Sequence, residues 1–129
     1  MSVESSRILN GYNFQITSHD FKVLTDVPEN QGGENKAPSP HDYIEIALAS
    51  CTAITVQMYA KRKGIPLEYS DVKVQITSES SSGNEILREI RFVGNLTDEQ
   101  KKNLLMIAEK CPIHKFLSAG AKIKTEMLG

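Results

Sequence analysis

At 129 residues the chain has the length of one domain, since domains cluster at roughly 100–150 residues, and one domain is expected over residues 1–129. A charged fraction of 24% is ordinary, and a net charge of −1 argues against nucleic-acid capture, which needs a basic face. No apolar stretch reaches the ~18 residues of a membrane span, and "MSVESSRILNGY" lacks the basic-then-apolar order of a secretory signal. The expected setting is therefore cytoplasmic, where the two cysteines, Cys51 and Cys111, rest reduced.

In chain order, Tyr12, Phe14 and Ile16 alternate with polar residues, and Phe21 and Val23 do so more weakly across the turn Ser18-His19-Asp20, which predicts a β-hairpin. Residues 27–38, "VPENQGGENKAP", predict a loop. "SPHD" then offers Ser39 as N-cap, Pro40 at the first helical position and Asp42 as the capping-box acid. The helical pattern runs to Lys63, where Gly64 and Pro66 stop it, a length of roughly 36 Å. Both of its faces are apolar, with Ile44, Leu48, Cys51 and Met58 on one and Ile46, Ala49, Ala53, Val56 and Ala60 on the other. Such a helix must be enclosed, and a chain this short struggles to do so alone. A second copy with its own helix alongside is the simplest partner.

Val72, Val74 and Ile76 alternate within residues 69–78, and "EILREIRFVGNL" continues the meander with Ile86, Ile90 and Phe92 on one face. Arg88 falls on that face by parity, so it lies at the sheet margin or it serves a function. Thr97 caps a second helix with Gln100 in the capping-box position, Pro112 breaks it, and a short helical turn at 113–118 and a last strand, "AKIKTEM", follow. The order is β-β-α-β-β-α-β, an α+β fold with a long buried central helix.

The chemistry on offer is that of thiols, because no phosphate loop, GxSxG or HExxH occurs. A cysteine in an apolar helix is commonly a small core residue. If Cys51 instead reacts, its place three turns into the helix keeps that helix's dipole from stabilising a thiolate, and a cation must do so. Cys111 stands at a helix break. Cys111-x-x-His114 has ligand-like spacing, and His41 with Cys51 could complete a set of four. A structural zinc site normally carries a second short-spaced pair, so zinc is not the expected reading.

"PSPHDYIEIALASCTAITVQMYAKRKGIPLEYSDVKVQ" followed by "GNLTDEQKKNLLMIAEKCPIHKFL" closely resembles the OsmC/Ohr family of osmotically inducible and organic-hydroperoxide-resistance proteins, in its broad OsmC-like branch. The match covers the Pro-capped helix entry, the small residues before Cys51, the "RKG" exit and the Cys-Pro after the second helix. The resemblance implies an intertwined homodimer and a cysteine-based peroxidase that needs no metal, haem or other cofactor. Cys51 is then the peroxidatic thiolate for an organic hydroperoxide and Cys111 the resolving thiol that closes a Cys51–Cys111 disulfide. A dithiol, on a lipoyl-bearing protein or thioredoxin, reduces that disulfide. It also implies an activating Arg near the N-terminus, reaching across the dimer interface, for which Arg7 is the residue in that region and Arg88 the substitute. Where the family places a glutamate to hold that Arg, about ten residues before Cys51, this chain has His41, with Asp42 beside it. The competing reading is a non-catalytic dimeric module that binds a small apolar ligand beside inert thiols.

Overall fold

The structure, a computed structural model, describes residues 2–129. The chain divides into two compact units, residues 1–45 and 46–129, with mixed α and β content throughout.

In the first unit, β1 (Val3–Asn10), β2 (Asn13–Ser18) and β3 (Phe21–Thr25) form an antiparallel sheet in that order. The β2–β3 hairpin follows the expectation, with Phe14 opposite Thr25 and Ile16 opposite Val23, and His19 takes a positive φ in its turn. β1 is an addition. "VESSRILN" has no period-two pattern, since Ile8 and Leu9 are adjacent, and it is a strand because β2 supplies its ladder, with Arg7 opposite Gln15. The loop at 26–38 closes on itself through the buried Asp26. The carboxylate of Asp26 accepts from the Val27 N–H at 2.7 Å and the Lys36 N–H at 3.3 Å, and its N–H donates to the Pro38 carbonyl.

The long helix α1 (Pro40–Lys63) opens with the expected capping box. Ser39 Oγ accepts from the Asp42 N–H at 3.1 Å, and the Asp42 carboxylate accepts from the Ser39 N–H at 2.9 Å. It ends at Gly64, whose φ of 69° turns the chain so that the Ile65 N–H reaches the Ala60 carbonyl at 2.8 Å. Within the second unit one face of α1 is buried, along Leu48, Thr52, Val56 and Ala60 at four-residue spacing. Ile46, Ile54 and Met58 lie exposed on the opposite face.

Strands β4 (Leu67–Ser80) and β5 (Gly83–Gly94) form one long antiparallel hairpin. The helices α2 (Asp98–Ala108) and α3 (Pro112–Ala119) follow it. Val72 faces Ile90, Val74 faces Arg88 and Ile76 faces Ile86, and these side chains are all half-buried on one face. Parity therefore placed Arg88 correctly. Gly94 pairs with Leu67 where the strands begin to separate; a Cβ there would meet the Pro66 carbonyl oxygen at 2.3 Å, so the close approach needs glycine. α2 carries the predicted Thr97–Gln100 capping box. It buries Leu104 and Ala108 against Val56, Ala60 and Leu67, with Tyr59, Ile65, Phe92 and Ile107 around them.

The last predicted strand is a correction. Residues 121–127 form no strand, although they alternate in polarity. A strand needs a ladder partner, none pairs with this segment among the described residues, and Ile123 and Met127 are left exposed. No helix among the described residues is long and apolar enough to cross a membrane.

Candidate functional site

The two cysteines, sixty residues apart in sequence, are brought together in the second unit. Cys51 lies mid-way along α1 beside the buried stripe and is partly accessible, while Cys111 is fully buried as the N-cap of α3. Pro112 occupies the first position of α3, where its missing N–H costs nothing. The Cys111 sulfur accepts from the His114 N–H at 3.4 Å, as a capping oxygen would. The Cys111 thiol and the Ile113 N–H lie close enough to the Cys51 sulfur to lower its pKa. Cys51 Sγ also lies 3.9 Å from the Thr55 hydroxyl one turn along α1.

The electrostatic consequence differs for the two sulfurs. Burial pushes the Cys51 thiol up, but hydrogen bonds from the Cys111 thiol, the Ile113 N–H and the Thr55 hydroxyl, with the charge of Arg88, outweigh it. The net effect holds Cys51 below the ordinary thiol value. Burial pushes Cys111 up, and the hydrogen bond it donates to Cys51, with the repulsion of a thiolate there, adds to that. The His114 and Ile113 N–H groups pull Cys111 back only in part. Of the two thiols, Cys51 is therefore the one that gives up its proton first. The dipole of α1 cannot reach Cys51 from three turns away, but the Ile113 N–H in the first turn of α3 acts on it.

Around the sulfurs runs a polar chain. Arg88 donates from Nη1 to Thr52 Oγ1 at 3.1 Å, and Thr52, which is fully buried, donates in turn to the Leu48 carbonyl at 2.6 Å. Arg88 Nη2 lies 3.5 Å from Glu109 Oε2, the atom that His114 Nε2 approaches to 3.1 Å from the other side. Arg88, Glu109 and His114 line an open cleft of about 450 Å³. Much of the rest of its wall is apolar, including Leu48, Ile86, Ile90, Leu105 and Leu117.

The remaining sequence candidates lie elsewhere. Arg7 is exposed on β1 in the first unit. His41 is in the first turn of α1, and the Asp42 carboxylate beside it is committed to the helix cap. No group of three or more His, Cys, Asp or Glu side chains among the described residues is placed to hold a metal ion. The sequence reading missed Thr52, Glu109 and the α3 N-terminus. One signal was available for each of the first two: Thr52 follows Cys51 directly, and Glu109 with His114 brackets Cys111.

The OsmC-like protein family model matches residues 33–126. No curated protein sequence is significantly similar to the chain. Among solved structures, the chain is similar to a Psychrobacter arcticus protein provisionally assigned to osmotic stress induction and detoxification, with a TM-score of 0.75 at 21% identity over 89% of this chain and 87% of that one. An OsmC-like protein from Mycoplasma pneumoniae superposes with a TM-score of 0.69 at 17% identity, over 89% of this chain and 86% of that one. The organic hydroperoxide resistance protein OhrB of Bacillus subtilis does so with a TM-score of 0.61 at 22% identity, over 89% of each chain.

Proposed function

The chain belongs to the OsmC-like protein family, and we propose that, within it, this protein is a thiol peroxidase for organic hydroperoxides, with residues 1–129 as one domain. The observation that supports this reading is the pair of thiols at the start of α3, where the Cys51 thiol is lowered and the Cys111 thiol, its N-cap, is raised. Attack by the Cys51 thiolate on a hydroperoxide forms an S–O bond and breaks O–O, and the departing alkoxide takes a proton to leave as the alcohol. Cys111 then attacks the sulfenic sulfur, its proton leaves with the hydroxide as water, and a Cys51–Cys111 disulfide remains. Each thiol acts on the other's pKa, so the two are neighbours, and the disulfide forms when their sulfurs close to the ~2.0 Å bond length.

A dithiol from a lipoyl-bearing protein or thioredoxin supplies the two electrons that restore the pair, and the reduced resting state suits a cytoplasmic setting. Two cations are available to support the thiolate: Arg7 from a second copy, and Arg88 from the same chain, whose charge already falls on Cys51. The exposed face of α1 with Ile46, Ile54 and Met58 supports a homodimer.

Cys51→Ser is expected to abolish consumption of cumene hydroperoxide coupled to a dithiol reductant, and unaltered turnover in that variant would refute the peroxidase. In Cys111→Ser the reaction stops at the Cys51 sulfenic acid, which dimedone traps. The apolar cleft beside Arg88 favours a second reading, a dimeric module that binds a small apolar ligand. Intact mass after one equivalent of peroxide separates the two, because the peroxidase loses two hydrogen atoms per chain to the peroxide and the module is unchanged.

A further inference from the structure

Arg88 is a charged side chain on the otherwise half-buried apolar face of the β4–β5 hairpin, between Ile86 and Ile90 and opposite Val74. Its side chain is nine-tenths buried, and a guanidinium there must have its donors matched. Thr52 takes one side and Glu109 the other. Glu109 is the C-cap of α2 and mostly exposed. As a stability device an ion pair with so exposed a carboxylate is weak. As a neighbour of two thiols it has the wrong sign, since a carboxylate two residues from Cys111 opposes thiolate formation by its charge alone. Its geometry suggests another role. One oxygen, Oε2, meets Arg88 from the sheet side and His114 from α3, so the carboxylate is fixed from two directions and ties the end of α2 to the start of α3 across Cys111.

We propose that Glu109 is a positioning residue: clamped by His114, it holds the Arg88 guanidinium against Thr52, where the positive charge falls on the Cys51 sulfur. This gives the chain an activating cation and carboxylate from β5 and α2 in one protomer, with neither Arg7 nor a residue at position 41 required. Thr52 matters for the same reason, because it sits next to Cys51 on α1 and fixes the other end of the guanidinium. The proposal rests on Cys51 being the reactive thiol of the reading above, but it concerns the state of the sulfur and not its oxidant.

The test follows the rate at which iodoacetamide alkylates Cys51 at neutral pH, with each cysteine resolved by peptide mass. If Glu109 positions Arg88, Glu109→Ala slows alkylation by about threefold to tenfold, a loss of up to about one pKa unit of thiolate stabilisation. Glu109→Gln keeps an acceptor for Arg88 and stays close to wild type. If Glu109 is merely a nearby negative charge, both variants react faster, and that result, or an unchanged rate in Glu109→Ala, overturns the proposal. Glu109→Ala is then repeated in an Arg88→Met background, where no further slowing is expected because the residue acts through Arg88. Slowing by the same factor there would also overturn it. Circular dichroism checks that each variant is folded, and the exposure of Glu109 makes folding failure a minor concern. Alkylation uses no peroxide, so the two readings fail separately. Peroxide turnover that persists in Cys51→Ser removes the peroxidase and leaves the positioning intact, whereas a peroxide-active wild type with faster alkylation in Glu109→Ala does the reverse.

Discussion

Thr52→Val is a near-isosteric change at a fully buried position that links the core of the second unit to the thiol site. The hydroxyl accepts from Arg88 Nη1 at 3.1 Å and donates to the Leu48 carbonyl at 2.6 Å. Losing the hydrogen bond to a buried charged group costs about 1.5–3 kcal/mol. Losing the back-bond to Leu48 costs little, because that carbonyl keeps its helical partner and such bonds slightly destabilise helices. The methyl that replaces the hydroxyl returns roughly 0.8 kcal/mol of burial. The net expectation is a loss of about 1–2 kcal/mol, the larger cost of the orphaned guanidinium less the gain in burial. Urea unfolding followed by circular dichroism at fixed protomer concentration measures it. In an Arg88→Met background, where no charge remains to be orphaned, the same substitution is expected to be neutral or stabilising, so the coupling between the two positions should approach about 2 kcal/mol. A Thr52→Val protein as stable as wild type, with Arg88 intact, would refute the reasoning.

Leu104→Ala empties a site with no solvent exposure among Val56, Ala60, Leu67 and Ala108, and is expected to lower stability by about 2.7–5 kcal/mol in the same urea assay. The alkylation rate of Cys51 should reach half its maximum at a pH below that of an ordinary thiol, and that of Cys111 above it, as their opposite shifts require; coincident profiles would contradict the arrangement at α3. Asp26 is held below the usual carboxylate range, first by the Val27 N–H and then against the cost of burial by the Lys36 and Glu34 N–H groups and Asn13. Its contribution is therefore complete above the ordinary aspartate value and is lost as pH falls through the lower folded value. Asp26→Asn should weaken the protein at neutral pH and flatten that acid limb, which urea melts at stepped pH would reveal.

Much of the fold was legible because local signals agreed with tertiary structure. Ser39, Pro40, Asp42 and Gly64 bound α1 as their chemistry requires, and Thr97 with Gln100 starts α2. The alternation of Val72, Val74 and Ile76 against Ile86, Ile90 and Phe92 gave the hairpin, and carried Arg88 inward with it. The misses have a common cause. β1 lacks alternation and is a strand through pairing with β2, while residues 121–127 alternate and find no strand to pair with. Strand formation depends on a partner, and the polarity of one segment does not report whether that partner exists.

The site was half legible for a related reason. The two cysteines and Arg88 could be singled out by residue type and parity, but the Ile113 N–H in the first turn of α3, which also lowers Cys51, is announced by no side-chain pattern. The helix-dipole argument for Cys51 was sound for α1 and silent about α3, because a thiol can be served by any helix whose N-terminus the fold aims at it. Cys111 is where the two lines meet. As N-cap it must sit at the start of α3, and there it cannot avoid the donors that also reach Cys51. The turn between Ala108, the end of α2, and Pro112, the start of α3, thus places the second thiol, the N–H donors of α3 and the Glu109–His114 clasp within one short stretch of chain. Moving that stretch shifts all of them together, so changes at Pro112 should alter the reactivity of both sulfurs where changes at Thr55 alter only that of Cys51.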